Sequence, residues 1–264
     1  MIVTLLHSSK TQKALESRPK DGTSPMLLES AMSINAVLMR LSVAEIENLM
    51  HLSPSLAETT YKTIHSWSTQ KSTGSTAIDI FKGDIYSGLQ AQSFSADDRI
   101  YAEGHLRILS ALYGILKPLD IIHPYRLEMG YKICVDEFKN LYQFWGHRIA
   151  DTLDPKADIV NLTSQEYATA ILPYLKNQTV ISPLFLTKKA GSNDYVQVAV
   201  HSKIARGAFA NWMIKQRVEN VDDIRAFNKL GYTFSNLLSN DATRPVYTCD
   251  KFLGTGLSIR NSGE

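Results

Sequence analysis

Ile2-Val3-Thr4-Leu5-Leu6, followed at once by His7-Ser8-Ser9-Lys10-Thr11, is where the fold is decided. Five apolar or β-branched residues in a row are too few for a helix and read as a strand. The run has no basic leader and is shorter than a signal-peptide core, so it is expected to remain as structure. The polar residues behind it gather an imidazole, an ammonium and three hydroxyls at the strand's end. They lack the glycines of a Walker A phosphate loop, so by themselves they read as a polar turn.

Working outward, the same passage from strand to loop to helix returns twice. Residues 158–162 read as a strand ending in Asn161-Leu162-Thr163-Ser164-Gln165-Glu166-Tyr167, where Thr163 and Glu166 fit a capping box. Residues 195–200 read as a strand that feeds Lys203-Ile204-Ala205-Arg206-Gly207 and a helix over 204–218. Lys203 and Arg206 in a first helical turn would oppose the helix dipole. An anion held by free amides and both side chains is therefore expected, against a basic face turned to water. Gly207 inside a helix suggests close approach of another backbone.

Helices dominate between these junctions. Ser24-Pro25 opens one that runs through Met39, Ser42-Val43-Ala44-Glu45 is a capping box, and Ser53-Pro54 starts a third toward Trp67. Residues 13–23 read as an exposed excursion, 71–76 as a polar turn, and 77–80 as a strand. Ser95-Ala96-Asp97-Asp98 caps a helix that the spacing of Tyr101, Ile108, Leu109 and Leu112 carries to Tyr113-Gly114. Strands are also expected at 179–186 and 246–248. Strands interleaved with helices, with no repeat or linker between them, predict a mixed α/β (α+β) single domain over residues 1–264.

Composition narrows the partners. The chain has 264 residues, 44% of them hydrophobic, and 28 basic against 26 acidic residues leave a net charge of only +2. An anionic partner must then be held by a local patch rather than by a polycation. No apolar run approaches the roughly 20 residues of a membrane span. Cys134 and Cys249 form no disulfide framework, so a cytoplasmic protein without membrane contact is expected.

Candidate chemistry is sparse. In Pro124-Tyr125-Arg126-Leu127-Glu128-Met129-Gly130, Arg126 and Glu128 sit two apart and on extended backbone would face one side. They are either an internal salt bridge or a base beside an anion clamp. The seven histidines show no i, i+4 pairing, so neither metal nor cofactor is expected. Leu141-Tyr142-Gln143-Phe144-Trp145 reads as core. Three functions stay open: a nucleic-acid binder, an enzyme on a nucleotide-like or other anionic small molecule, and a scaffold without a ligand. In the enzyme, Lys10, Lys203 and Arg206 would hold the anion, Glu128 or Glu166 would be the base, and Tyr125 or Tyr167 would orient substrate.

Phe81-Lys82-Gly83-Asp84-Ile85-Tyr86-Ser87-Gly88-Leu89-Gln90 closely resembles the YaaA family of bacterial peroxide-stress proteins. The likeness continues through His105-Leu106-Arg107, Leu112-Tyr113-Gly114-Ile115-Leu116-Lys117-Pro118-Leu119-Asp120, the Pro124–Gly130 stretch, Leu141-Tyr142-Gln143-Phe144-Trp145-Gly146, Asn161-Leu162, Glu166-Tyr167, Lys203 with Ala205-Arg206-Gly207, and Phe227-Asn228 with Gly231-Tyr232. The resemblance implies a mixed α/β fold with a helix-hairpin-helix element and a basic cleft. It also implies DNA binding and a part in limiting intracellular iron during peroxide stress. The helix-hairpin-helix would be the helix before Tyr113, the turn at 113–117 and the restart at Pro118, with Arg107 and Lys117 on the DNA backbone. Two departures stand out. The family's first loop usually reads Ser-Pro-Ala-Lys-Thr where this chain has His7-Ser8-Ser9-Lys10-Thr11, and Asn211 replaces a basic residue common in the helix after Gly207.

Overall fold

The computed structural model describes residues 1–14 and 22–258; positions 15–21 of the expected polar excursion lie outside them. The first half runs β1 (Ile2–His7), β2 (Thr11–Gln12), α1 (Leu28–Leu38), α2 (Val43–Met50), α3 (Pro54–Ser66), β3 (Ser75–Thr76), α4 (Ala77–Ile80), β4 (Phe81–Lys82), α5 (Asp84–Leu89), α6 (Ala96–His105), β5 (Leu106–Ser110), β6 (Gly114–Leu116) and β7 (Ile121–Ile122). The second half adds α7 (Leu141–Trp145), β8 (Asp158–Asn161), α8 (Gln165–Ile171), β9 (Val180–Ile181), β10 (Leu184–Lys188), β11 (Tyr195–Val196), α9 (Ala199–Lys215), β12 (Tyr232–Phe234) and β13 (Val246–Cys249). The mixed α/β class read from the sequence is what forms. Among the described residues, no helix is long and apolar enough to cross a membrane.

The opening strand is the centre of the main sheet, ordered β6-β5-β1-β8-β9. β1 pairs parallel with β5 on one side and β8 on the other. The chain thus leaves β1 in one direction and returns across it in the other. At such a reversal, loops from neighbouring strands part and open a crevice at their carboxyl ends. A second sheet, β11-β10-β13-β12, stands apart. Its core is aromatic: Phe185, Tyr232 and Tyr247 pack with Phe209 and Phe227, all buried.

Helix α9 ties the two sheets. Thr4 of β1 donates to Met213 Sδ at 3.5 Å, and Ser202 donates to the Phe185 carbonyl of β10 at 3.2 Å. Against α9 lies α5, and the two backbones touch through glycines. A Cβ on Gly207 would sit 1.8 Å from the Ile85 carbonyl oxygen, and one on Gly88 would sit 2.0 Å from that of Ile204. The close approach expected of Gly207 is therefore real. Asn211 also faces α5, donating to the Leu89 carbonyl at 2.7 Å.

Several expected elements differ. Residues 106–110, read as helix, form β5, because an apolar strand paired on both sides has no period to distinguish it from a buried helix. Tyr113-Gly114 then turns a β-hairpin, with Gly114 at φ 70°. The helix-hairpin-helix placed here is overturned. Two consecutive helices joined by a short turn do occur at α2 and α3, with His51 at φ 51° in the turn and the Ser42–Glu45 capping box in place. Residues 77–80, read as strand, are the short helix α4. α1 begins at Leu28 rather than at Pro25. The stretch 179–186 divides at Ser182-Pro183 into β9 and β10, which belong to different sheets.

Candidate functional site

Two cavities open where the loops leave the carboxyl ends of β1, β8 and β9. The first, about 510 Å³, is lined by the His7–Thr11 loop, Gly83–Tyr86, Glu128, Ser164, Glu166, Tyr167 and Lys203. The second, about 610 Å³, is lined by Asn161, Thr163–Gln165, Ser182–Leu184, Gln197, Arg206, Thr243 and Arg244, with apolar residues of α8. Ser164 belongs to both. Lys10 and Lys203, 193 positions apart by number, thus face one space, and Arg206 faces the next.

His7 lines the first cavity beside Ser164, the residue the two share. The Ser164 backbone N–H donates to His7 Nδ1 at 3.2 Å, which leaves the neutral ring's proton on Nε2. The ring stacks on Tyr167 with centroids 5.0 Å apart. Burial, then the charges of Arg206 and Lys203, hold its pKa down to about 3. At neutral pH His7 is an uncharged donor between two cations.

Behind the first cavity runs a chain of hydroxyls. Ser8 shares a hydrogen bond with Tyr167 OH at 3.2 Å, and Tyr125 OH meets both Ser8 and Ser110, the latter at 2.7 Å. Burial raises both phenols, Tyr125 to about 12. Of the two tyrosines named as orienting groups, Tyr167 lines the cavity and Tyr125 lies behind it.

The carboxylates are engaged differently from expectation. Lys10 Nζ lies 2.6 Å from Glu128 Oε2, and that hydrogen bond raises the lysine's pKa. Glu128 therefore pairs with Lys10, not with Arg126. The backbone at 123–128 is irregular, so the alternation of a strand does not apply. Arg126 stands close enough to oppose Lys10 electrostatically, and its Nε is buried without a hydrogen-bond partner. Glu166 accepts from the Gly130 N–H at 2.8 Å instead of closing a capping box with Thr163, whose hydroxyl donates to Asn161 at 2.7 Å. Asp84 Oδ1 accepts from the Ser258 N–H at 3.0 Å, drawing the chain at 257–258 onto the rim.

α9 starts at Ala199, so Lys203 falls in its second turn and Arg206 beyond it. The conflict with the helix dipole disappears. What remains is that neither Lys203 nor Arg206 has an acidic partner among the described residues, and that burial lowers the pKa of Arg206. Arg107 lies on β5, beside β1, and Lys117 follows the edge strand β6. Arg107 donates to the carbonyls of Glu103 and Leu106, and Asp120 accepts from the Lys117 N–H. Among the described residues, no three His, Cys, Asp or Glu side chains group to hold a metal. The sequence reading passed over Arg244, a lone base in a loop without a motif. It counted His7 and Asp84 without giving either a role.

An open mixed sheet with polar loops gathered at its strand reversal defines a mixed α/β protein with a crevice at the sheet's carboxyl edge. The model of the family described as "Peroxide stress protein YaaA" matches residues 1–238, and the chain belongs to that family. A UPF0246 protein of Salinispora tropica is 44% identical over 262 residues, covering 98% of both chains. One of Saccharophagus degradans is 37% identical, covering 86% of this chain and 90% of the relative. A third, of Burkholderia multivorans, is 35% identical, covering 92% and 96%.

Proposed function

We propose that this peroxide-stress family member binds the phosphate backbone of duplex DNA with little sequence preference, and through that binding helps limit intracellular iron. The observation that carries the reading is Lys203 and Arg206, about one helical turn apart and unpaired, at the crevice. The α2–α3 hairpin is the candidate for backbone contacts through its turn. Arg107 on β5 and Lys117 just after β6 are proposed as further backbone contacts, carried by the sheet rather than by a helical hairpin. Anisotropy of a random duplex between about 50 and 200 mM salt tests the reading. Lys203→Ala and Arg206→Ala should each lower the log–log salt slope by about 0.9. Absence of binding by the unaltered protein at the low-salt end would remove it.

A second reading, an enzyme acting on an anionic small molecule, is favoured by one observation. His7, Glu128, Glu166 and Tyr167 meet in one cavity, with His7 held neutral. Such a group can donate a hydrogen bond from Nε2 to a substrate while carrying no charge. Thermal stabilisation by a mononucleotide but not by duplex DNA would favour this reading over the first.

A further inference from the structure

The two cavities differ in charge, and that difference assigns a ligand group. The first holds Lys10 and Lys203 against Asp84, Glu128 and Glu166, so it is not the basic cleft expected from the sequence. Among the described residues lining the second, none is Asp or Glu, and two, Arg206 and Arg244, are arginines. Neither arginine makes an ion pair among the described residues. Asp241, three positions before Arg244, accepts from the backbone and hydroxyl of Thr243, and the Arg244 charge is the least of the influences that lower its pKa. Holding the Arg206 guanidinium partly away from water without a counter-charge is unfavourable, and an anion shared with the exposed Arg244 offsets that cost. The remaining lining offers neutral hydrogen-bonding groups, Ser164 and Gln197 among them.

We propose that the second cavity binds a phosphate monoester, gripped by Arg206 and Arg244, with the rest of the molecule crossing Ser164 toward His7. Two guanidiniums match a monoester, which carries close to two negative charges at pH 7, better than an internal phosphodiester, which carries one. The first cavity, within the usual size of small-molecule sites, accepts the polar remainder. A free nucleotide and the 5′-phosphate end of a DNA strand both supply this chemistry. The inference goes beyond backbone binding and stands apart from it.

Calorimetry with AMP, adenosine, and an oligonucleotide with or without its 5′-phosphate tests the proposal. AMP should bind at least about 10-fold more tightly than adenosine, and Arg244→Ala should weaken AMP about 10- to 100-fold. Arg244 is exposed, so this variant should keep its fold; an unchanged melting temperature checks that. If the 5′-phosphate improves oligonucleotide binding while AMP binds less tightly than that strand, the source is a DNA end; the reverse order marks a nucleotide. Equal affinity for AMP and adenosine, or no effect of Arg244→Ala on either phosphate ligand, overturns the proposal. Salt-dependent binding of a hydroxyl-ended duplex with no monoester preference would sink this inference and leave the DNA reading standing. Monoester binding without duplex binding would do the opposite.

Discussion

The two cavities share Ser164 and one helix, yet only the first resembles a reaction site. Its ammonium and carboxylate groups are partly paired with each other, and a neutral imidazole and buried phenols stand beside them. Among the described residues, those lining the second carry charge of one sign only. Opposite charges that meet within a site support proton movement and orientation, whereas uncompensated like charges store an affinity for something absent. One α9 face supplies both, Lys203 to the first and Arg206 to the second.

That common origin gives the largest expected effect. Gly207→Ala would force a methyl group onto the Ile85 carbonyl, where only backbone could yield. Stability should fall by roughly 3 kcal/mol or more in chemical denaturation, and both cavities should lose their ligands together. Loss of one cavity's binding alone would show that α9 does not seat them jointly.

Next comes pH. His7 titrates near 6.5 in the unfolded chain and near 3 in the folded one. Between those values the unfolded chain binds the extra proton, so this contribution is present above pH 6.5 and is lost as pH falls toward 3. The slope should approach about 1.4 kcal/mol per pH unit below 6.5. Melting curves of His7→Gln between pH 7 and pH 5 should be flatter than those of the unaltered protein; parallel curves would mean His7 is charged in the fold.

Arg206→Ala sharpens the contrast from the other side. Removing an unpaired, half-buried guanidinium should leave stability within about 1 kcal/mol or raise it, while lowering anion affinity about 10-fold. It should also lift the His7 pKa, read by NMR titration, because Arg206 is one of the charges depressing it. A marked loss of stability would mean that Arg206 already has its partner.

The smallest effect is expected at Glu128→Gln. The Lys10 side chain is 52% exposed, and such pairs contribute about 0–1 kcal/mol. The melting temperature should barely move, while freeing Lys10 should strengthen anion binding in the first cavity. A drop in that binding would show that Glu128 orients Lys10 for the ligand.

Much of this arrangement was legible. The opening strand, the helix caps at Ser42 and Ser95, and the close approach at Gly207 follow from local rules, and all three form. Lys10 and Lys203 were singled out from strand ends, which is where a strand reversal gathers its loops. β5 was not legible, because burial on both sides erases the alternation that marks a strand. Nor were the partners of Glu128 and Glu166: Lys10 and the Gly130 amide reach them across the fold, and capping or i, i+2 rules see only near neighbours. Arg244 had no local signal, since its meaning comes from the absence of acids around a cavity assembled from four distant segments.

The rim contact between Ser258 and Asp84 spans 174 positions. It is made by the stretch at 257–258, which follows β13 and is the last described part of the chain to line the first cavity. The last described residue lining the second cavity is Arg244, fourteen positions earlier by number. Loss of the chain beyond Gly256 would therefore take Leu257 and Ser258 from the first cavity and leave every described residue lining the second in place.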